Sequence, residues 1–352
     1  MGKYELGNIY CDDFLNNGLQ EKSVQLIIAD PPYFEVKGDF DFIWDSFDDY
    51  LADVEKWAKE CKRILADNGT LFWYGDAKNI AYSQVILDRY FNLQNSMVWE
   101  NTYQHKQQIR FSEDLRSFAP LTERILMYSN DYDVNALGTI YDDPNNFTEI
   151  KQYLRSEKQK SGLKSDWFVS VSSTYCSHFF ALTSQWAFPT EKAYKAFQKS
   201  GFFQKPYDDL RKEYEDLRKE YEEDLRKEYE DLRRPFNNVF NLQEVLNFSN
   251  ESQRTGKNYD HDTVKPEKLT RALILTCSRP GDIVFVPFSG SGTECAMAQR
   301  EGRRYIGFDV CEKYVIIGNE RCKKEKIQPT LFDPVELTKE TSAPELFEGL
   351  KE

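Results

Sequence analysis

The apolar run Val24-Gln25-Leu26-Ile27-Ile28-Ala29 ends abruptly in Asp30-Pro31-Pro32-Tyr33. A short stretch this rich in aliphatic side chains has the length of a strand covered on both faces. Neither proline can extend a central ladder, so the chain must leave the sheet at Asp30, and the prolines fix φ there and stiffen the turn. Ligands of open α/β sheets bind outside the carboxyl ends of the strands, which puts Asp30 and Tyr33 where chemistry is expected.

A second run of this kind lies near the other end of the chain. Pro280-Gly281-Asp282 reads as a turn, and Ile283-Val284-Phe285-Val286-Pro287-Phe288 as a buried strand running into Ser289-Gly290-Ser291-Gly292-Thr293 and a helix over 294–301. A strand, a glycine turn and a helix start let backbone N–H groups approach a ligand closely. The next strand, Arg304-Tyr305-Ile306-Gly307-Phe308, ends in Asp309, 17 residues beyond Gly292. An acid at that place is suited to accept both hydroxyls of a ribose.

Between the two runs the pattern first alternates strands and helices. Residues 8–15 read as a short strand closing on Asp12 and Asp13, and 46–66 as a helix stopped by Asp67-Asn68-Gly69. A strand at 70–74, a helix at roughly 78–90 and strands near 93–99 and 124–128 follow, a rhythm that implies a mostly parallel sheet with right-handed crossovers. The rhythm stops near Ser129 and resumes at about Pro280. Helical patterning at 147–160 and 189–200 fills part of the gap. Lys151, Arg155, Lys158, Lys160 and Lys164 form a basic cluster there, followed by Trp167, Phe168, Tyr175, His178, Phe179, Phe180 and Trp186. Such a pattern suits a solvated helix face over an aromatic core, or a helix-turn-helix-like reader of DNA.

Residues 208–233 repeat Asp-Leu-Arg-Lys-Glu-Tyr-Glu. Leu210, Leu217, Leu225 and Leu232 are spaced 7, 8 and 7, a total of 22 or two elevens. That period gives a nearly straight stripe and does not sustain a left-handed coil. One helix of roughly 26 residues and about 40 Å is expected, ended by Arg234-Pro235. It suits a dimerising coil, a solvated spacer or, the reading favoured here, a strut packed on the rest of the chain.

With 352 residues, 40% hydrophobic and 15% aromatic, the chain has material for one large α/β domain and an insert. Seven scattered cysteines without a Cys-x-x-Cys pair argue against a disulfide framework, and three histidines against a zinc site. The sequence shows no signal peptide and no apolar run near 18 residues, so a cytoplasmic protein without a membrane partner is expected. The net charge of −13 opposes DNA binding only at long range, because salt limits the reach of exposed charges to about 8 Å.

Asp-Pro-Pro-Tyr after a strand, His-x-Thr-x-Lys-Pro at 261–266 and Pro-Phe-x-Gly-Ser-Gly-Thr at 287–293 together resemble the DNA amino-methyltransferases. The order of parts, with the catalytic half first, resembles their beta group. The resemblance covers roughly 8–128 and 260–326. It implies an α/β fold, a Rossmann-like methyltransferase sheet, with an inserted helical target-recognition region. The implied division is 1–130 for the catalytic half, 131–250 for the recognition region with the long helix at about 206–234, 251–326 for the cofactor half and 327–352 for an acidic tail. It further implies methyl transfer from S-adenosylmethionine to an exocyclic amine of a flipped base in duplex DNA, with Asp30, Pro31, Pro32 and Tyr33 catalytic. Asp before Pro-Pro-Tyr leans towards adenine N6.

By the same resemblance Asp13 lies beside the adenine of the cofactor, and Asp30 borders the cofactor as well. Phe288, Ser289, Gly290, Gly292 and Thr293 form its wall, Asp309 holds the ribose, and Thr263 and Lys265 face its carboxylate. The position of the 131–250 region between two methyltransferase halves favours the DNA-reading role for Lys151, Arg155, Lys158, Lys160, Lys164 and His178. A second copy of the chain and a cognate restriction enzyme are further partners of such proteins, and DNA protection their usual task. One departure concerns Val286, where the family usually carries an acid that helps position the methionine end. Compensation by a neighbour such as Asp282 is one reading of it, and a DNA-binding module with a decayed cofactor site another. Cytosine N4 or RNA methylation is the alternative within the enzyme class.

Overall fold

The computed structural model describes residues 4–36, 41–100, 122–130, 139–248 and 264–327. They fall into two compact units, one drawn from Met1–Tyr132 and Arg234–Glu352, the other from Asp133–Arg233. The first holds an eight-stranded sheet: β1 (Asn8–Cys11), β2 (Val24–Ala29), β3 (Leu65–Asp76), β4 (Asn92–Glu100), β5 (Thr122–Ser129), β6 (Val245–Asn247), β7 (Ile283–Val286) and β8 (Arg304–Asp309). Helices α1 (Phe47–Ile64) and α2 (Ile80–Leu87) belong to this unit. Helices α3 (Thr148–Ser161), α4 (Ser165–Ser172), α5 (Glu191–Gln198) and α6 (Tyr207–Leu232) belong to the second. α7 (Glu267–Cys277), α8 (Thr293–Arg300) and α9 (Glu312–Lys324) return to the first.

The strand order is β1-β8-β7-β2-β3-β5-β4-β6. β5 pairs antiparallel with both β3 and β4, and the other pairings are parallel, so β5 alone runs against the rest. β2 is buried on both faces, as its aliphatic run requires. Leu26 and Ile28 join a core shared with α7, α8 and α9, while Val24, Ile27 and Ala29 join one shared with α1 and α2.

Two boundaries differ from the sequence expectation. α1 begins as expected, with Ser46 Oγ accepting from the Asp49 N–H and Asp48 and Asp49 in the first turn. It passes without a loop into β3, because Leu65 already pairs with Val24. From that pair to Leu26–Thr70, β2 advances two residues and β3 five, so the expected stop Asp67-Asn68-Gly69 lies within a bulge of the strand. Asn130 braces it by donating to the carbonyls of Leu65 and Ala66. Further along, residues 234–248, expected in the insert, belong to the sheet unit, where β6 pairs with β4.

The second unit is built on an aromatic core that includes Phe147, Phe168, Trp186, Tyr194, Phe197 and Phe203. α6 is one helix of 26 residues, as the repeat predicts. Leu210 and Tyr214 are buried, Leu217, Tyr221 and Leu225 pack against the same core at lower burial, and Tyr229 stands exposed. The helix is thus anchored by its first half, and the apolar stripe outruns the core that could cover it.

Candidate active site

β1, β8, β7, β2 and β3 lie side by side in parallel, so their carboxyl ends share one edge. β7 leads through α8 to β8 on one side, and β2 through α1 to β3 on the other. The connections diverge between β7 and β2, the switch point at which open sheets leave a crevice. Asp-Pro-Pro-Tyr leaves β2 on one side of it and the glycine turn leaves β7 on the other.

Asp30 and Tyr33 are half-buried and Pro31 is buried. The turn is pinned from outside: Asp41, itself buried, accepts the Tyr33 N–H at 2.5 Å, and Asn79 donates to the Phe34 carbonyl at 2.8 Å. Tyr33 Oη donates to Asp30 Oδ1 at 2.6 Å. Burial, then Asp30 and Glu123, hold the Tyr33 hydroxyl well above its ordinary pKa, so it stays a donor.

Lys265, expected to face the cofactor's carboxylate, pairs with two carboxylates of the chain itself. It is 4% exposed, and its Nζ lies 3.0 Å from Asp30 Oδ1 and 2.9 Å from Glu123 Oε2, over the Tyr74 ring at 4.9 Å. Burial pulls its pKa down, but Asp30 and Glu123 outweigh that, and the ammonium is held above its usual value. Both contacts to Asp30 fall on Oδ1; among the described residues Oδ2 accepts nothing. Glu123 is a site residue that sequence reasoning missed. The reversed direction of β5 sets it opposite Asp76, at the carboxyl end of β3. Its only sequence signal is an acid at the mouth of the apolar strand Ile125-Leu126-Met127-Tyr128.

The glycine turn is tied to β8. Asp309 Oδ2 accepts the Gly290 N–H at 2.8 Å and Oδ1 the Cys311 N–H at 2.9 Å. Gly292 has φ +73°, and a Cβ there would stand 2.7 Å from the Gly318 Cα of α9. The packing of the turn on α9 therefore requires glycine here. Ser289 is buried, Thr293 Oγ1 accepts from Arg321 at 2.8 Å, and Phe288 packs edge-on to Phe14 and Trp57 on the α1 side of the sheet. Asp13 follows β1 on the same edge and caps the 3-10 turn Phe14–Asn16 through the Leu15 N–H. Thr263 and the acidic segment after Ile327 lie outside the described residues.

The basic cluster of the second unit is not one surface. Lys151, expected to face DNA, is 2% exposed, donates to the Pro144 carbonyl and sits 5.5 Å from the Trp186 ring centroid. It lies on the same helix face as Phe147 and Leu154 and is part of the core. Lys158 lies 4.5 Å from the Phe180 ring, Lys160 pairs with Glu157, and His178 packs against Phe179. Arg155, Lys160 and Lys164 are exposed.

The family model described as DNA methylase, for N6 and N4 amino-methylation, matches residues 24–320, from the first residue of β2 into α9. The chain belongs to this family. It is a DNA methyltransferase, and the family uses S-adenosylmethionine as methyl donor. Relatives include the Type II methyltransferase M.HinfI of Haemophilus influenzae, 25% identical over 90% of this chain and 71% of that protein. The DNA adenine methyltransferase YhdJ of Escherichia coli K12 is 24% identical over 85% and 76%. The PvuII DNA methyltransferase, cytosine-N4-specific, shares the fold with a TM-score of 0.51 at 15% identity, over 92% of this chain and 89% of that one.

The site fits such a donor on its own terms. Tyr74 Oη, Ser289 Oγ and Glu294 Oε1 are buried at the carboxyl edge of β3, in the glycine turn and in the first turn of α8. None of the three has a hydrogen-bond partner among the described residues. Buried polar atoms without partners are costly, and a polar ligand in the crevice would relieve them.

Proposed function

We propose that the protein methylates the N6 amino group of adenine in duplex DNA at a specific sequence, in the manner of a modification enzyme. The observation that carries the reading is Asp30-Pro31-Pro32-Tyr33 at the β7/β2 crevice, with one oxygen of Asp30 held and the other open. An exocyclic amine is a poor nucleophile because its lone pair is delocalised into the ring. Asp30 Oδ2 accepts one amino hydrogen and the Pro31 carbonyl the other, which localises the lone pair. Lys265 and Tyr33 fix Oδ1 and so orient the carboxylate. S-adenosylmethionine supplies an electrophilic methyl group; Asp13, Phe288, Ser289, Gly290, Gly292, Thr293 and Asp309 are the residues that hold it. The base must leave the duplex to reach Asp30, and the Tyr33 ring is the surface on which it stacks.

The name of the adenine methyltransferase YhdJ supports adenine as the base, as does Asp at the head of the motif. The name of the Type II relative supports a modification role. Within Asp133–Arg233 the exposed Arg155, Lys160 and Lys164 are the DNA contacts, joined by the half-buried Lys158 and His178. Lys151 is not among them. Asp30→Ala is expected to abolish methylation while DNA binding by gel shift persists; methylation retained in that variant would sink the assignment.

A further inference from the structure

Val286, the last residue of β7, is buried and apolar and offers no charge to the glycine turn that follows it. Asp282 does not supply one. It lies before β7, at the amino end of the strand, where it accepts the Arg279 N–H at 2.6 Å. The opposite end of β7 offers another carboxylate. Glu294, in the first turn of α8, is 5% exposed, and its Oε1 accepts no hydrogen bond from the described residues. It follows the glycine turn directly, one residue beyond Thr293, so it stands at the carboxyl end of β7 beside the crevice, with the charges of Asp30, Lys265 and Arg321 near enough to act on it. The two cations are already engaged: Lys265 by Asp30 and Glu123, Arg321 by Glu267 at 2.7 Å and Thr293 at 2.8 Å.

We propose that Glu294 is the carboxylate that receives the α-ammonium of the methyl donor. A buried carboxylate facing a second acid is costly when charged and has no full counter-ion of its own. An arriving ammonium removes that cost, so the group is best placed as half of an ion pair completed by the ligand. Burial first, and Asp30 next, raise the Glu294 pKa to about 7, as such an incomplete site should. The inference rests on the methyltransferase reading of the site.

The test is calorimetric binding to the full chain, without DNA, of two probes: S-adenosylhomocysteine, which carries the ammonium, and 5′-methylthioadenosine, which keeps the nucleoside and lacks the amino-acid end. Glu294→Gln is expected to weaken S-adenosylhomocysteine tenfold or more and to leave methylthioadenosine within about twofold, which also shows that the variant is folded. Unchanged binding of S-adenosylhomocysteine in the variant overturns the proposal. An equal loss for both probes overturns it as well, since that would mean a structural role. If the parent protein binds neither probe, the cofactor reading itself fails and this inference with it.

Discussion

Removing the ammonium of Lys265 should cost the sheet unit more than any other single charge deletion at the crevice. Lys265→Met keeps most of the alkyl stem against Tyr74 and Trp99 and deletes the charge that stands 3.0 Å from Asp30 and 2.9 Å from Glu123. At about 3 Å and an effective dielectric of about 20, each contact is worth about 5 kcal/mol of gross attraction. The burial cost of the ions offsets much of this, and deleting one partner of a buried pair costs about 3–5 kcal/mol. Side-chain exposures of 22% for Asp30 and 34% for Glu123 put the expected loss at the lower end, about 3 kcal/mol. For a unit of this size that is a fall in Tm of about 6–12 °C. Scanning calorimetry of the parent and variant at pH 8 measures it. Asp30 and Glu123 hold the Lys265 pKa above its usual value, so the ammonium is charged in the parent at that pH. A loss of under about 1 kcal/mol would refute the electrostatic argument and leave only packing.

Glu294 gives a pH signature without ligand. Its carboxyl is raised from 4.5 to about 7 in the folded protein, so the native state binds its proton more tightly than the unfolded chain does. The native state therefore loses stability as pH rises from 4.5 to 7, by about 3 kcal/mol in full. The Tm of Glu294→Gln relative to the parent should rise from pH 5 to pH 8; a constant difference would show that the carboxyl does not titrate in this range. On α6, Leu210→Ala should cost about 3 kcal/mol by urea unfolding and Leu232→Ala under about 0.5 kcal/mol, because Leu210 is buried and Leu232 lies beyond the core. Equal effects would mean that the end of the helix is covered in solution.

Local signals carried far in this chain. β2, the glycine turn and the strand ending in Asp309 were legible because a buried strand with an abrupt polar end has few other readings. The 26-residue helix was legible because a repeat fixes its own period. Contacts made across the sheet were not. Glu123 meets Lys265 only because β5 runs against its neighbours, and nothing near Glu123 in sequence specifies that direction. Lys151 read as one of a cluster of five cations, but clustering in sequence does not say which face of α3 meets an aromatic core. The Asp-Asn-Gly stop after α1 was overridden by tertiary pairing, since Leu65 gains a place in the sheet beside Val24 and the bulge absorbs the turn residues.

The most direct measurement is methyl transfer from labelled S-adenosylmethionine into unmethylated duplex DNA, with the product digested to nucleosides. Label on N6-methyladenine is the expected result. Label on N4-methylcytosine would contradict the assignment of the base, and DNA binding without any transfer would contradict the assignment of the enzyme.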